Sequence, residues 1–470
     1  MTGAPELEPE HETASTWLDR LPAVALGVAL VVVALAVYWI PGYDRFYNHF
    51  VLQAQSFLHG QAAIPTPKFQ DVLPILGSDG QPTGFGLLPF PPLPAVVLMP
   101  FVAIWGLDTN ERVVSVILGA IAVGLAWWAL GFLRISRPIR LATTVFFGFG
   151  TVFWYAAQIG DTWFFAHVVA ITCLLLAVGL ALKSDPGADD EVDGGVSLGG
   201  LTRSLAGALR SPGSVLDGRQ VLAGFLFGLA CTARLTIVFG APFFMLVGSG
   251  GSWVRRSVSA GLGAAIPVGL LLAYNVATTG HLLHPGYEYL YRLEANGYPG
   301  LHYNPAWSIE DVRYLPQNIG IMFGSMPALF PDAVPSSLGG GAPLCVDPGA
   351  VRGIFDQACP IAMPRDIGMS VILTSPAYLL VAAAFRGRSR LVAGAFLATL
   401  AIAFVNLMHF SQGWVQFGYR FSNDFVVFAL VLVAIGMERR GRVGWLGIGL
   451  VVASIAINAW GVAWGNIQGW

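Results

Sequence analysis

Four short polar clusters, each set between long apolar runs, hold the residues able to do chemistry. The first, YDRFYNHFVLQAQSFLHGQ at 43–61, offers Asp44, Asn48, His49 and Gln55. A carboxylate or an imidazole in such a place can take a proton from a hydroxyl. The second, QIGDTWFFAH at 158–167, carries Asp161 between two apolar stretches and His167 about two turns further on. A charge beside hydrocarbon is costly unless it is used, although Asp161 also suits the N-cap of the helix that follows. The third, LACTARLTIVFGAP, sets Arg234 between two short segments, where a guanidinium can bind a phosphate or snorkel to the interface. The fourth, HFSQGWVQFGYRFSND at 409–424, combines aromatic and ionic groups. Trp414, Phe417 and Tyr419 supply faces for a sugar or an isoprenoid. Gln416 and Arg420 supply donors for a pyrophosphate or for hydroxyls, and Asp424 closes the cluster.

What must position these clusters is a membrane domain. The chain is 55% hydrophobic and 11% charged, against about 25% charged in a soluble domain. Charge-free runs reach the roughly 20 residues needed to cross ~30 Å of hydrocarbon. Fifteen of the 25 Lys and Arg fall in five clusters: 134–140, 183–219, 255–256, 386–390 and 439–442. Cytoplasmic connections collect such residues, so all four polar clusters are expected on the opposite, extracytoplasmic side. The fold class this predicts is all-α, a polytopic membrane helical bundle of about 11 transmembrane helices. Crossings are expected at 21–40, 112–133, 141–159 and 163–182. Two short ones follow within 221–248, then 259–277, 369–385, 391–409, 425–437 and 445–464. Residues 1–20 form an acidic cytoplasmic tail, and 21–470 a single domain. Its first extracytoplasmic loop is 41–111, its disordered cytoplasmic loop 183–219, and its large extracytoplasmic loop 278–366. The first span has an acidic leader, ELEPEHET, so it reads as a retained helix in a plasma (inner) membrane.

Three segments need their own reading. Residues 43–61 have apolar side chains at near-helical spacing and predict an amphipathic helix lying on the membrane surface. LLPFPPLPAVVLMPFVAIWG at 87–106 is apolar enough to cross, but a crossing here would flip every later basic cluster. Pro91, Pro92, Pro94 and Pro100 interrupt helical hydrogen bonding, so it reads as re-entrant and as a cavity wall. Cys345 and Cys359 share one outer loop and are expected to pair in an oxidising compartment.

Several functions are excluded or left without support. The net charge of −2 is uninformative about partners, and no basic stripe suggests nucleic acid. No P-loop, HExxH, GxSxG or CxxC motif occurs, so ATPase, metalloprotease and lipase readings have nothing to rest on. No metal-ligating set stands out.

The layout resembles the GT-C superfamily of membrane glycosyltransferases, which use polyprenyl-phosphate sugars. The likeness rests on a first span followed by DRFYNHFVLQAQSFLHG, the Pro-rich PFPPLPAVVLMP, the span ERVVSVILGAIAVGLAWWAL, the acid Asp161 and a short-helix pair containing TAR. The resemblance implies extracytoplasmic juxtamembrane helices and a catalytic acid at Asp44, with Asp161 as a further acid and His49 and Asp424 as fallback bases. Asp44 is followed by Arg45, where members often carry a second acid. A divalent cation is compatible with the pattern, and no other cofactor is implied. The expected partners are the lipid bilayer, a polyprenyl-phosphate sugar donor and a glycan, lipid or protein acceptor. The rival readings are a transporter or lipid flippase, and a non-catalytic scaffold.

Overall fold

The protein is described by a computed structural model over residues 20–40, 47–66, 71–190, 216–294, 304, 306–337, 339–413, 415–440 and 444–470. Among these, five helices are long and apolar enough to cross a membrane: Glu111–Leu130, Thr162–Ser184, Trp253–Thr279, Arg390–Met408 and Trp445–Gln468. The helices Arg137–Phe149 and Phe153–Ile159 meet at 50° and make a sixth if they form one span. The chain is a membrane protein, and among the described residues the helices of full span length number five, or six with the bent pair. The other apolar segments are helices of 10–17 residues, among them Ala23–Tyr38, Gly218–Cys231 and Val426–Glu438. At about 1.5 Å per residue these are shorter than ~30 Å of hydrocarbon.

Burial sorts the helices into two shells. Val426–Glu438 is apolar all round and buried from Val426 to Met437, as a central helix should be. Thr162–Ser184 is its companion in the middle of the bundle. Outer helices bury one stripe and expose apolar side chains where lipid would lie, such as Val28 and Val32 on Ala23–Tyr38 and Ile266 and Leu270 on Trp253–Thr279. The tightest outer pair is Gly218–Cys231 on Trp253–Thr279. A Cβ at Gly224 would stand 2.1 Å from the Ala260 carbonyl oxygen, and one at Gly228 2.6 Å from Pro267. The Gly224-x-x-x-Gly228 spacing therefore sets how closely these helices approach.

The first loop differs from its reading in two ways. It contains a small antiparallel sheet of Ile64–Pro65, Leu73–Leu76 and Pro82–Leu87, with the last strand in the centre. Also, the helix His49–Leu58 does not lie polar side out. It buries His49, Gln53 and Ser56 together with Phe50 and Val51, because Leu93–Trp105 and Thr162–Ser184 close over it. The Pro-rich segment is helical over Leu93–Trp105. Pro91 and Pro92 precede its first turn and Pro94 lies in it, where no donor is needed, so only Pro100 sits inside.

The helix ends rich in arginine are tied together. Asp185, directly after Thr162–Ser184, accepts from Arg390 at 3.0 and 3.2 Å and from the Gly248 amide at 3.1 Å, with Arg256 at 3.6 Å. Asp189 accepts from Ser389 at 2.7 Å and from Arg439 at 2.8 Å, and Asp190 pairs with Arg134. Residues 185–190, expected to stay unpacked, are thus held by four arginines. The rest of that segment, 191–215, lies outside the described residues.

Candidate functional site

Three hollows open at the end of the bundle away from the arginine clasp or on its flank. The first is an apolar groove of about 560 Å³ between Leu93–Trp105, Gly218–Cys231 and Trp253–Thr279, lined by Phe57, Val96, Met99, Leu229, Leu270 and Tyr274 among others. Val96 and Leu270 are exposed, so the groove faces the bundle's flank. The second is an arginine-walled pocket of about 410 Å³. Its lining includes Arg234, Tyr287, Asn406, His409 and Phe421, and it shares Leu271 with the groove. The third is a polar pocket of about 310 Å³ lined by Tyr47, Asn48, Asp108, Asn110, Glu111 and Asp161 among others.

Arg234 follows Gly218–Cys231 in extended backbone, which turns its side chain across to Asp424, 190 residues away. The pair is bidentate: Nε to Oδ1 at 3.1 Å and Nη2 to Oδ2 at 3.0 Å. Asp424 is fully buried and is met by further groups: Thr236 Oγ1 at 2.7 Å, Asn406 Nδ2 at 3.2 Å and His167 Nδ1 at 2.9 Å. A carboxylate so saturated has little capacity to take a substrate proton; its chemistry is to fix Arg234. Two of the guanidinium's five N–H groups are used on Asp424, which leaves three for an anion. Arg234 and Arg420 each lie 5.4 Å from the Phe421 ring centroid. Gly413 makes room for Arg420: its φ is +83°, and a Cβ there would come within 2.6 Å of that guanidinium.

The outer loop supplies the opposite wall. Tyr287, on Gly286–Glu294, has its phenol pushed up to about 12 by burial, so it stays a donor at neutral pH. Burial pushes His284 down to about 4, and its Nδ1 accepts the Gly286 amide at 3.0 Å, as a neutral imidazole does. Asp71 precedes the strand Leu73–Leu76, which packs on Gly286–Glu294. Burial raises its carboxyl from 3.8 to about 6 against the opposing pull of Arg420.

The polar pocket is made by one tight turn. Phe153–Ile159 ends at Gly160 in left-handed backbone, φ +57°. A Cβ on Gly160 would stand 2.3 Å from Ser115 Cβ, so glycine alone lets Asp161 come beside the first turn of Glu111–Leu130. Asp161 occupies the N-cap position of Thr162–Ser184, where its carbonyl accepts from Phe164 and Phe165 while its side chain makes no cap bond. Arg112 does not serve the acids: Nε donates to the Gln158 carbonyl at 2.9 Å and Nη2 to that of Ile40 at 2.9 Å. Glu111 is 6% exposed, and neither of its carboxylate oxygens has a hydrogen-bond partner among the described residues.

The structure therefore brings Arg234, Arg420 and Asp424 together and sets Asp161 in a different pocket. His167 pairs with Asp424 rather than approaching Asp161. His49 is buried, hydrogen-bonded to Thr162 Oγ1 at 3.0 Å, and lines neither polar hollow. Gln416 donates to the carbonyls of Ile367 and Gln412 at 3.0 and 2.7 Å, and Tyr419 is fully buried beside Phe421. Asp44 and Trp414 lie outside the described residues. Cys345 and Cys359 form a disulfide. Sequence reasoning missed Asp71 and Glu111. Glu111 carried a usable signal, an acid at the mouth of a 20-residue apolar helix.

No family model matches the chain, and no curated protein matches it. Among solved structures, the apo form of the Archaeoglobus fulgidus oligosaccharyltransferase is similar at 12% identity and a TM-score of 0.45, over 96% of this chain and 57% of that one. The chain thus spans 57% of that neighbour's length.

Proposed function

We propose that the chain is a membrane glycosyltransferase that takes a sugar from a polyprenyl-phosphate donor. One observation carries this reading: the apolar groove and the arginine-walled pocket meet at Leu271. A ligand with an isoprenoid tail and an anionic head fits that pair of spaces, tail in the groove and phosphate against the free N–H groups of Arg234. The GT-C resemblance supports the same donor and a role in cell-envelope glycan or glycolipid synthesis. The apolar runs and basic clusters support eleven crossings, with the shorter helices completed by their flanking turns, in a plasma membrane with the N-terminus cytoplasmic.

In the reaction the acceptor oxygen attacks the anomeric carbon, and the bond from that carbon to the phosphate oxygen breaks with inversion. The phosphate leaves with the electron pair, its charge held by Arg234, and the acceptor proton passes to Asp44. Asp161 is the further acid of the resemblance, and a divalent cation, which the resemblance allows, would supply additional charge stabilisation to the leaving group. The test is transfer from a panel of radiolabelled polyprenyl-phosphate sugars by the full chain in proteoliposomes. Asp44→Asn should abolish product while the protein still inserts. Normal turnover in that variant removes Asp44 as the base. Lipid translocation with no glycosylated product would favour the flippase instead.

A further inference from the structure

Resting on that reading, we infer that the polar pocket around Glu111 is the seat of the acceptor, and that the acceptor is a carbohydrate. Asp108, Glu111, Asp161 and Arg112 line this pocket with Asn48, Thr109 and Asn110, a mixed polar lining that suits hydroxyls. Glu111 is the decisive group. A buried carboxyl group with neither oxygen bonded is expensive to maintain, and its oxygens are open to hydroxyl groups. The fitting ligand is rich in donors, which a polyol is. Asn48 adds an amide able to give and to accept, and Asn110 keeps its NH2 because only its oxygen is engaged, by the Val113 amide at 3.2 Å.

A second observation points the same way. The two polar pockets are joined by four half-buried aromatic rings, Tyr47, Trp163, Phe90 and Tyr287. Successive centroids lie 4.7, 6.5 and 6.0 Å apart. Tyr47 lines the polar pocket and Tyr287 the arginine-walled one. His49 backs this ribbon at 5.8 Å from Trp163 and 6.4 Å from Phe90. Rings with partly open faces between hydrogen-bonding ends suit a pyranose or furanose, whose C–H faces pack on aromatic carbon while its hydroxyls bond at the edges. From a sugar seated at Glu111 this series of rings leads to the arginine-walled pocket.

The test is saturation-transfer NMR on the full chain in detergent, without donor, using a panel of methyl hexosides and pentosides. At least one glycoside should show saturation at its ring C–H protons. Trp163→Ala and Glu111→Ala should each weaken that ligand tenfold or more. Glu111→Gln should stay within about threefold, since the amide oxygen still accepts from a hydroxyl. No saturated glycoside, or saturation indifferent to Trp163→Ala, overturns the inference. So does equal loss in Glu111→Gln and Glu111→Ala together with Mn2+ binding by paramagnetic resonance, which would mark a cation site. Undecaprenyl phosphate binding, measured on the same preparation, separates this inference from the donor reading. Lipid bound with no glycoside signal overturns the carbohydrate seat alone. A glycoside signal with no lipid bound supports the seat and overturns the donor reading.

Discussion

Asp185 and Glu111 are acids at the ends of two membrane-length helices, and their surroundings are opposite. Asp185 follows the last turn of Thr162–Ser184 and is met by two arginines and a backbone amide. Glu111 opens Glu111–Leu130 and is met by no hydrogen-bonding group among the described residues, although Arg112 is its neighbour in sequence. At the clasp, charge is neutralised within the protein and the helix ends are locked. In the polar pocket, hydrogen-bonding capacity is left open beneath a hollow. The fold ties one end of the bundle shut and leaves hollows at the other. Arg234 lies between these extremes, because Asp424 fixes its geometry while three of its donors stay free.

The comparison can be broken most forcefully at Arg234. Arg234→Ala removes the anion donors and leaves Asp424 as a buried carboxylate without its guanidinium. Removing one partner of such a pair costs about 3–5 kcal/mol, and transfer should fall by more than about 100-fold. Radiolabelled product and thermal unfolding in detergent measure the two effects, and a variant of normal activity would mean that the pocket holds no phosphate. Asp185→Asn is the counterpart at the clasp. It should lower stability by about 1–3 kcal/mol and leave transfer per folded molecule unchanged; a loss of specific activity would tie the clasp to the reaction.

Asp71 gives the smallest and most graded test. Its folded pKa is raised from 3.8 to about 6, so folding favours the protonated form. The stability this provides is complete below the unfolded value and is lost as pH rises through about 6. At pH 8 Asp71→Asn should therefore be more stable than the parent by about 1–2 kcal/mol, and the two should converge near pH 4. Unfolding midpoints across that range measure the gap; a constant gap would mean that Asp71 is not perturbed.

Much of this was legible in the sequence. The arginine corners are local in sequence, and four of them close one end of the bundle as a unit. Arg234, Arg420 and Asp424 were each marked as ionic groups beside apolar runs. That Arg234 and Asp424 bond across 190 residues was not legible, because pairing at that separation depends on how the helices pack. Two readings failed for a physical reason. The helix His49–Leu58 is expected to lie on the membrane surface, yet tertiary packing satisfies His49 through Thr162 and places Gln53 Nε2 at 3.4 Å from the Tyr274 hydroxyl. The prolines near 91–94 were read as breakers, yet at the start of a helix they cost it nothing. Asp71 lies in no motif or apolar pattern that marks it, and only the sheet it leads into brings it against the outer loop.

The shared wall at Leu271 has a practical consequence for anyone assaying this protein. A guest that slides in from the flank never has to leave the hydrocarbon phase, so its effective concentration is a mole fraction within the bilayer rather than an aqueous molarity. Micelle-forming alkyl chains can fill the same slot, and the choice of surfactant then sets the apparent affinity as much as any side chain does.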